Sequence, residues 1–171
     1  MMCKNGFTLV EMMITLVVAA ILIGLAVPSY FNMVQNNHIT ATVNKLSASL
    51  NYARLEAIKR GEQVSVCAAS SAALNACGTN AQWAQGWVVF VDENDNNVID
   101  VGDTLIRVNE QLPPGITITT VSSVVSYDGT GFLNSNATNF TVSASGCTGD
   151  SGRQLAIAGS GRLSLSNVNC P

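Results

Sequence analysis

The sequence predicts an α+β fold: a long N-terminal helix packed on a C-terminal antiparallel β-sheet head. Three observations carry that expectation. Residues 7–30 form an apolar run broken only by Thr8, Glu11, Thr15, Gly24, Pro28, Ser29 and Tyr30. Ile39, Val43, Leu46, Leu50, Ala53 and Ala57 then recur at alternating steps of four and three, the spacing of one helical face. Past Gly61 the period shifts towards two, and turn residues separate short β-branched runs.

The apolar run comes first. At about 1.5 Å rise per residue it is long enough to cross a hydrocarbon core of about 30 Å once, as a transmembrane helix. Lys4 precedes it as the only charge on that side, and Pro28 near its end would remove a helix hydrogen bond and kink the chain. Glu11 places a carboxylate inside this run. A charge at that depth is costly unless it meets a partner, so Glu11 reads as functional.

The second half of the helix, residues 31–60, carries the narrow apolar stripe between Asn, Thr, Ser and Lys. Lys59 and Arg60 suit the negative end of the helix dipole, and Gly61 is the expected stop. Residues 62–171 hold eight strand-like runs, beginning at Val64, Trp87, Thr104, Ile116, Val124, Phe140, Gln154 and Arg162. Asn96-Asn97, Pro113-Pro114-Gly115, Asp128-Gly129 and Gly159-Ser160-Gly161 supply turns short enough to require antiparallel pairing. Residues 69–82 show no pattern and read as a loop. Trp83 and Trp87 read as core or loop anchors.

Composition excludes some functions. The net charge of −3 argues against a broad basic surface for nucleic acid. His38 is the only histidine, and no nucleophile constellation accompanies it, so no catalytic site is expected. Asp92, Asn94, Asn96 and Asp100, followed by Asp103, place oxygens at alternate positions and resemble a calcium loop. Asn97 stands where an EF-hand has glycine, and the closing glutamate is absent. The other reading is a polar hairpin turn, since Asn and Asp tolerate left-handed backbone angles.

The residues Gly6-Phe7-Thr8-Leu9-Val10-Glu11 resemble the leader junction of type IV pilins and type II secretion pseudopilins. A secretory signal would place its cleavage site after the apolar stretch, not before it. The helix end Tyr52-Ala53-Arg54-Leu55-Glu56-Ala57-Ile58-Lys59-Arg60, the segment Trp83-x-x-Gly86-Trp87-Val88-Val89-Phe90-Val91-Asp92 and the later Gly161-Arg162 are similar to the GspH/FimT group. The resemblance implies the type IV pilin fold and a leader, residues 1–6, cut between Gly6 and Phe7 by a prepilin peptidase. That enzyme would then methylate the Phe7 amine. It implies a single-pass inner-membrane protein with a periplasmic head, residues 31–171, that joins other pilins or pseudopilins through an assembly platform. Glu11 would pair with the amine of its own or a neighbouring Phe7.

Some members of the group bind double-stranded DNA through a Gly-Arg-x-Arg motif. Here the matching stretch is Gly161-Arg162-Leu163-Ser164, which lacks the second arginine. Arg153 on the preceding strand would substitute if the hairpin brought it close, and two arginines predict weak, salt-sensitive binding. Of the five cysteines, Cys3 lies in the leader, leaving Cys67, Cys77, Cys147 and Cys170 for two disulfides in an exported domain. Three pairings are open. Cys67–Cys77, closing a short loop, and Cys147–Cys170, pinning the C-terminus, are favoured.

Overall fold

The structure, a computed structural model, describes residues 7–170, with the side chains at 25 and 27–29 outside the description. One helix, α1, runs Leu9–Arg60. The chain divides into two compact units after Gln35, and each is described by itself.

In the first unit the large side chains of the apolar run are exposed, among them Leu9, Met12, Leu16, Ile21 and Phe31. Among the described residues no helix is long and apolar enough to cross a membrane. The apolar run is a property of the sequence. The backbone is helical through residue 28. The kink expected at Pro28 lies outside the described side chains, and the cleavage expected after Gly6 lies outside the described residues.

In the second unit the predicted stripe becomes the core: Ile39, Leu46, Leu50, Ala53 and Ala57 are 0% exposed and Val43 is 1% exposed. The helix stops where Gly61 adopts a φ of +72°, a left-handed angle that only glycine takes without strain, and its N–H bonds Ala57 O at 2.8 Å. Eight strands follow: β1 Val64–Ala68, β2 Trp87–Val91, β3 Thr104–Asn109, β4 Ile116–Thr119, β5 Val124–Tyr127, β6 Thr138–Ala144, β7 Gly152–Ile157 and β8 Leu163–Val168.

These strands form two four-stranded sheets, ordered β3-β2-β1-β5 and β4-β6-β7-β8, and every pairing is antiparallel. The division follows from the connection after β3. Pro113 and Pro114 have no N–H for a ladder, so the chain leaves the first sheet and resumes at Ile116, opposite Ala144 of β6. β5 then returns to the first sheet beside β1.

The main core joins α1 with one face of each sheet, through Val66, Val89, Val125 and Tyr127 on one side and Ile118, Phe140, Val142 and Leu155 on the other. Trp83 stacks edge-on to Phe140 at 4.8 Å between ring centres and donates its Nε1–H to Ser122 O at 2.8 Å. A second cluster (Cys67, Ala69, Val88 and Phe90) occupies the other face of the first sheet. Leu74 and Cys77, from the loop without a pattern, cover it together with Ile99, so that loop is a lid on the sheet. Both faces of β1 and β2 are therefore buried, which is why these strands read as continuous apolar runs.

Candidate functional site

Three regions carry the chemistry expected of the chain. At the start of α1, the N–H and Oγ1 of Thr8 both donate to Glu11 Oε2 at 3.3 Å, and Glu11 N–H donates to Thr8 Oγ1 at 3.3 Å. This reciprocal pair is a capping box. It satisfies donors that the first helical turn leaves free and fixes where the Glu11 carboxylate points. Its signal, a threonine followed three residues later by a glutamate, lies in the sequence at Thr8 and Glu11.

The second region is the β2–β3 connection. Asp92 is buried, and its Oδ2 accepts from Asn97 N–H at 2.8 Å and Gln63 Nε2 at 3.0 Å while Oδ1 accepts from Asn96 N–H at 3.0 Å. Asn94 and Asn96 turn their amide nitrogens, not their oxygens, to Asp100 Oδ2 at 3.0 and 2.7 Å. Asp103 accepts from the N–H of Glu93 at 3.1 Å and of Asp100 at 3.0 Å. Asp95 and Asn97 hold φ values of +57° and +62°. Side-chain oxygens of Asp92, Asp100 and Asp103 thus brace a turn, with Asp95 and Asn97 at the left-handed positions. Beside this turn opens an acidic cleft of about 500 Å³ lined by Glu62, Gln63, Glu93, Asp95, Asp128 and Asn134, among others. Asn134 donates to Gln63 across it. Asp128 accepts from Thr130 Oγ1 at 2.6 Å, and that bond, with help from backbone N–H groups, holds its carboxyl below the usual range.

The third region is the C-terminal hairpin. The condition set for Arg153, that the hairpin bring it close to Arg162, is not met by the register. Arg153 pairs with Asn167 at one end of β7, whereas Arg162 bonds Ala158 beyond the other end. Five residues of strand place them about 16 Å apart, and an odd offset sends them to opposite faces. Arg153 Nη1 donates to Gly152 O at 3.4 Å, and Arg162 is exposed. Gly161, with φ +74°, packs its backbone on the carbonyl of Gly131, so the residue before Arg162 must remain glycine.

Two further groups are structural. Lys59 and Arg60 reach back to Glu56 at 3.3 and 2.8 Å, and the Arg60 bond lowers the Glu56 carboxyl below its ordinary value. Cys67 is bonded to Cys77 and Cys147 to Cys170, the two pairs favoured from spacing.

A capped apolar helix leading into a disulfide-braced head of two antiparallel sheets defines a pilin-type subunit, a structural class and not an enzymatic one. Residues 42–161 match the family described as type II transport protein GspH, and residues 1–27 match the prokaryotic N-terminal methylation motif. The chain belongs to the GspH family of pilin-like proteins. Among solved structures it is similar to the type IV minor pilin FimU of Pseudomonas aeruginosa strain PAO1 in two crystal forms. One match has a TM-score of 0.59 at 19% identity, covering 78% of this chain and 92% of that one. The other has a TM-score of 0.55 at 19% identity, covering 74% and 91%. At that identity the likeness establishes the type IV pilin fold.

Proposed function

We propose that this chain is a minor pilin, held in the inner membrane by the helix that begins after Gly6, with its head in the periplasm. A prepilin peptidase cuts between Gly6 and Phe7 and methylates Phe7. The subunit then enters a type IV pilus or its priming complex through the assembly platform and contacts major and minor pilins. The observation that carries this reading is the capping box. It leaves one carboxylate held at the first turn of an apolar, exposed stretch of helix, close to the residue that becomes the new N-terminus. An amine brought next to Glu11 relieves the cost of that carboxylate, so register between neighbouring helices is favoured. In the alternative setting, a type II secretion system, the same steps build a pseudopilus. Neighbouring genes separate the two.

The test uses the full chain in cells with and without the peptidase. Mass spectrometry is expected to find an N-methylated Phe7 terminus only with the enzyme. Glu11→Ala is expected to be processed but to fall out of sheared filaments. A wild-type level of Glu11→Ala in filaments would remove the role given to Glu11, and an unprocessed chain would remove the pilin reading itself.

A further inference from the structure

β3 and β8 close opposite sheets, and among the described residues each is paired with a strand on one side only. The remaining two terminal strands have cover. β5 is continued by the Tyr127–Leu133 bridge and by Asn134 N–H on Ser126 O at 2.8 Å, and β4 packs against the Trp83–Gln85 turn. Free edges are usually guarded by charge, proline or a bulge. β8 reads Leu163-Ser164-Leu165-Ser166-Asn167-Val168, with no charge and no proline, whereas β3 carries Arg107 and a shift of register against Val89 and Phe90 of β2. Both strands have six residues, and both expose large apolar side chains: Leu105 and Val108 on β3, Leu165 on β8.

The hairpins that carry these edges have opposite charge. Residues 92–109 hold Asp92, Glu93, Asp95, Asp100 and Asp103 against one cation, Arg107, which lies over the Tyr52 ring at 5.5 Å. Residues 152–170 hold Arg153 and Arg162 and no Asp or Glu. The acidic hairpin also displays Val98 and Val101 to solvent, Val101 completely. Its tip is braced by the hydrogen bonds of Asp92, Asp100 and Asp103, so these valines are presented at little further entropy cost on binding.

We propose that the β3 edge of one copy of this chain pairs with the β8 edge of a second copy, acidic hairpin against arginine hairpin. The backbone ladder supplies the contact and the charges set its direction, as in strand addition generally. The separation of Arg153 and Arg162, which is poor for gripping one phosphate run, suits this contact by placing a cation near each end of β8. The interface is heterologous: each copy keeps one free edge of each kind, so the contact can propagate. It goes beyond the filament reading and does not depend on it.

The test is cross-linking of the full chain in isolated membranes, in a Cys3→Ser background where Cys67, Cys77, Cys147 and Cys170 are consumed in disulfides. Copies carrying Leu105→Cys and Leu165→Cys, with different tags, are co-expressed and treated with a short bismaleimide. A mixed dimer is expected, and no dimer from two Leu105→Cys or two Leu165→Cys copies. Glu93→Lys with Val101→Lys, both on exposed side chains, should lower the yield at least about tenfold, and Arg153→Glu with Arg162→Glu on the other copy should restore it. The milder Glu93→Gln should lower it in the same direction. Absent mixed dimers, like pairs linking equally well, or charge reversal without effect would each overturn the proposal. Mixed dimers that persist when the filament machinery is deleted support it separately from the filament reading.

Discussion

Replacing the two disulfides separately should reverse the order that loop length alone implies. Cys67 and Cys77 are 10 residues apart and Cys147 and Cys170 are 23 apart. Loop-closure entropy assigns about 2.7 kcal/mol to the first bridge and about 3.4 kcal/mol to the second. Burial changes the order. Cys67 is fully buried among Ala69, Val88 and Phe90, whereas Cys147 and Cys170 are half-buried at the end of the second sheet. A serine hydroxyl at position 67 would have no partner in that cluster and would add about 1–3 kcal/mol. Cys67→Ser/Cys77→Ser should therefore cost about 4–6 kcal/mol, and Cys147→Ser/Cys170→Ser about 3.4 kcal/mol. Urea unfolding of the full chain in detergent measures both, because Trp83 and Trp87 are fully buried in the head and report its opening through their emission. A Cys147→Ser/Cys170→Ser chain as unstable as the other variant, or less stable, would show that the apolar lid over β1 and β2 is not what sets the cost.

Two further outcomes follow from buried and exposed polar groups. The Tyr127 hydroxyl is buried without a hydrogen-bond partner among the described residues, and burial, only partly opposed by Arg54, pushes its pKa upward. A raised folded pKa means stability that is complete below the ordinary value near 10 and is lost as pH rises through the folded value. Tyr127→Phe should leave stability at pH 7 unchanged or up to about 1 kcal/mol higher and should remove the alkaline loss. A destabilisation of several kcal/mol in thermal melts would refute the unpartnered hydroxyl. For duplex DNA, Arg153→Gln and Arg162→Gln should act independently in a titration at low and moderate salt, since the two arginines lie on opposite faces. Salt-sensitive binding abolished by either substitution alone would contradict that geometry.

Much of this architecture is local and therefore legible in the chain. The stripe from Ile39 to Ala57 determined which helix face is buried, because side-chain direction follows the helical period. Gly61 marked the helix end, and turn residues marked strand ends, through backbone angles that neighbouring residues do not alter. Even the disulfide pairs were favoured by spacing. Glu11 stands out in the chain because a carboxylate in an apolar helix is conspicuous without any fold, whereas the processing expected at Gly6 and Phe7 comes from the resemblance to pilins.

What the sequence determined by itself, then, is the set of elements and the membrane-like start of the helix. Tertiary structure alone decided how the strands divide into two sheets and which edges remain free. It also decided that Arg153 and Arg162 part company and that the loop before Trp83 is a lid. Each of these depends on which strand pairs with which and in what register. A register is set by packing across the whole core, and a shift of one residue would send every side chain of a strand to the other face.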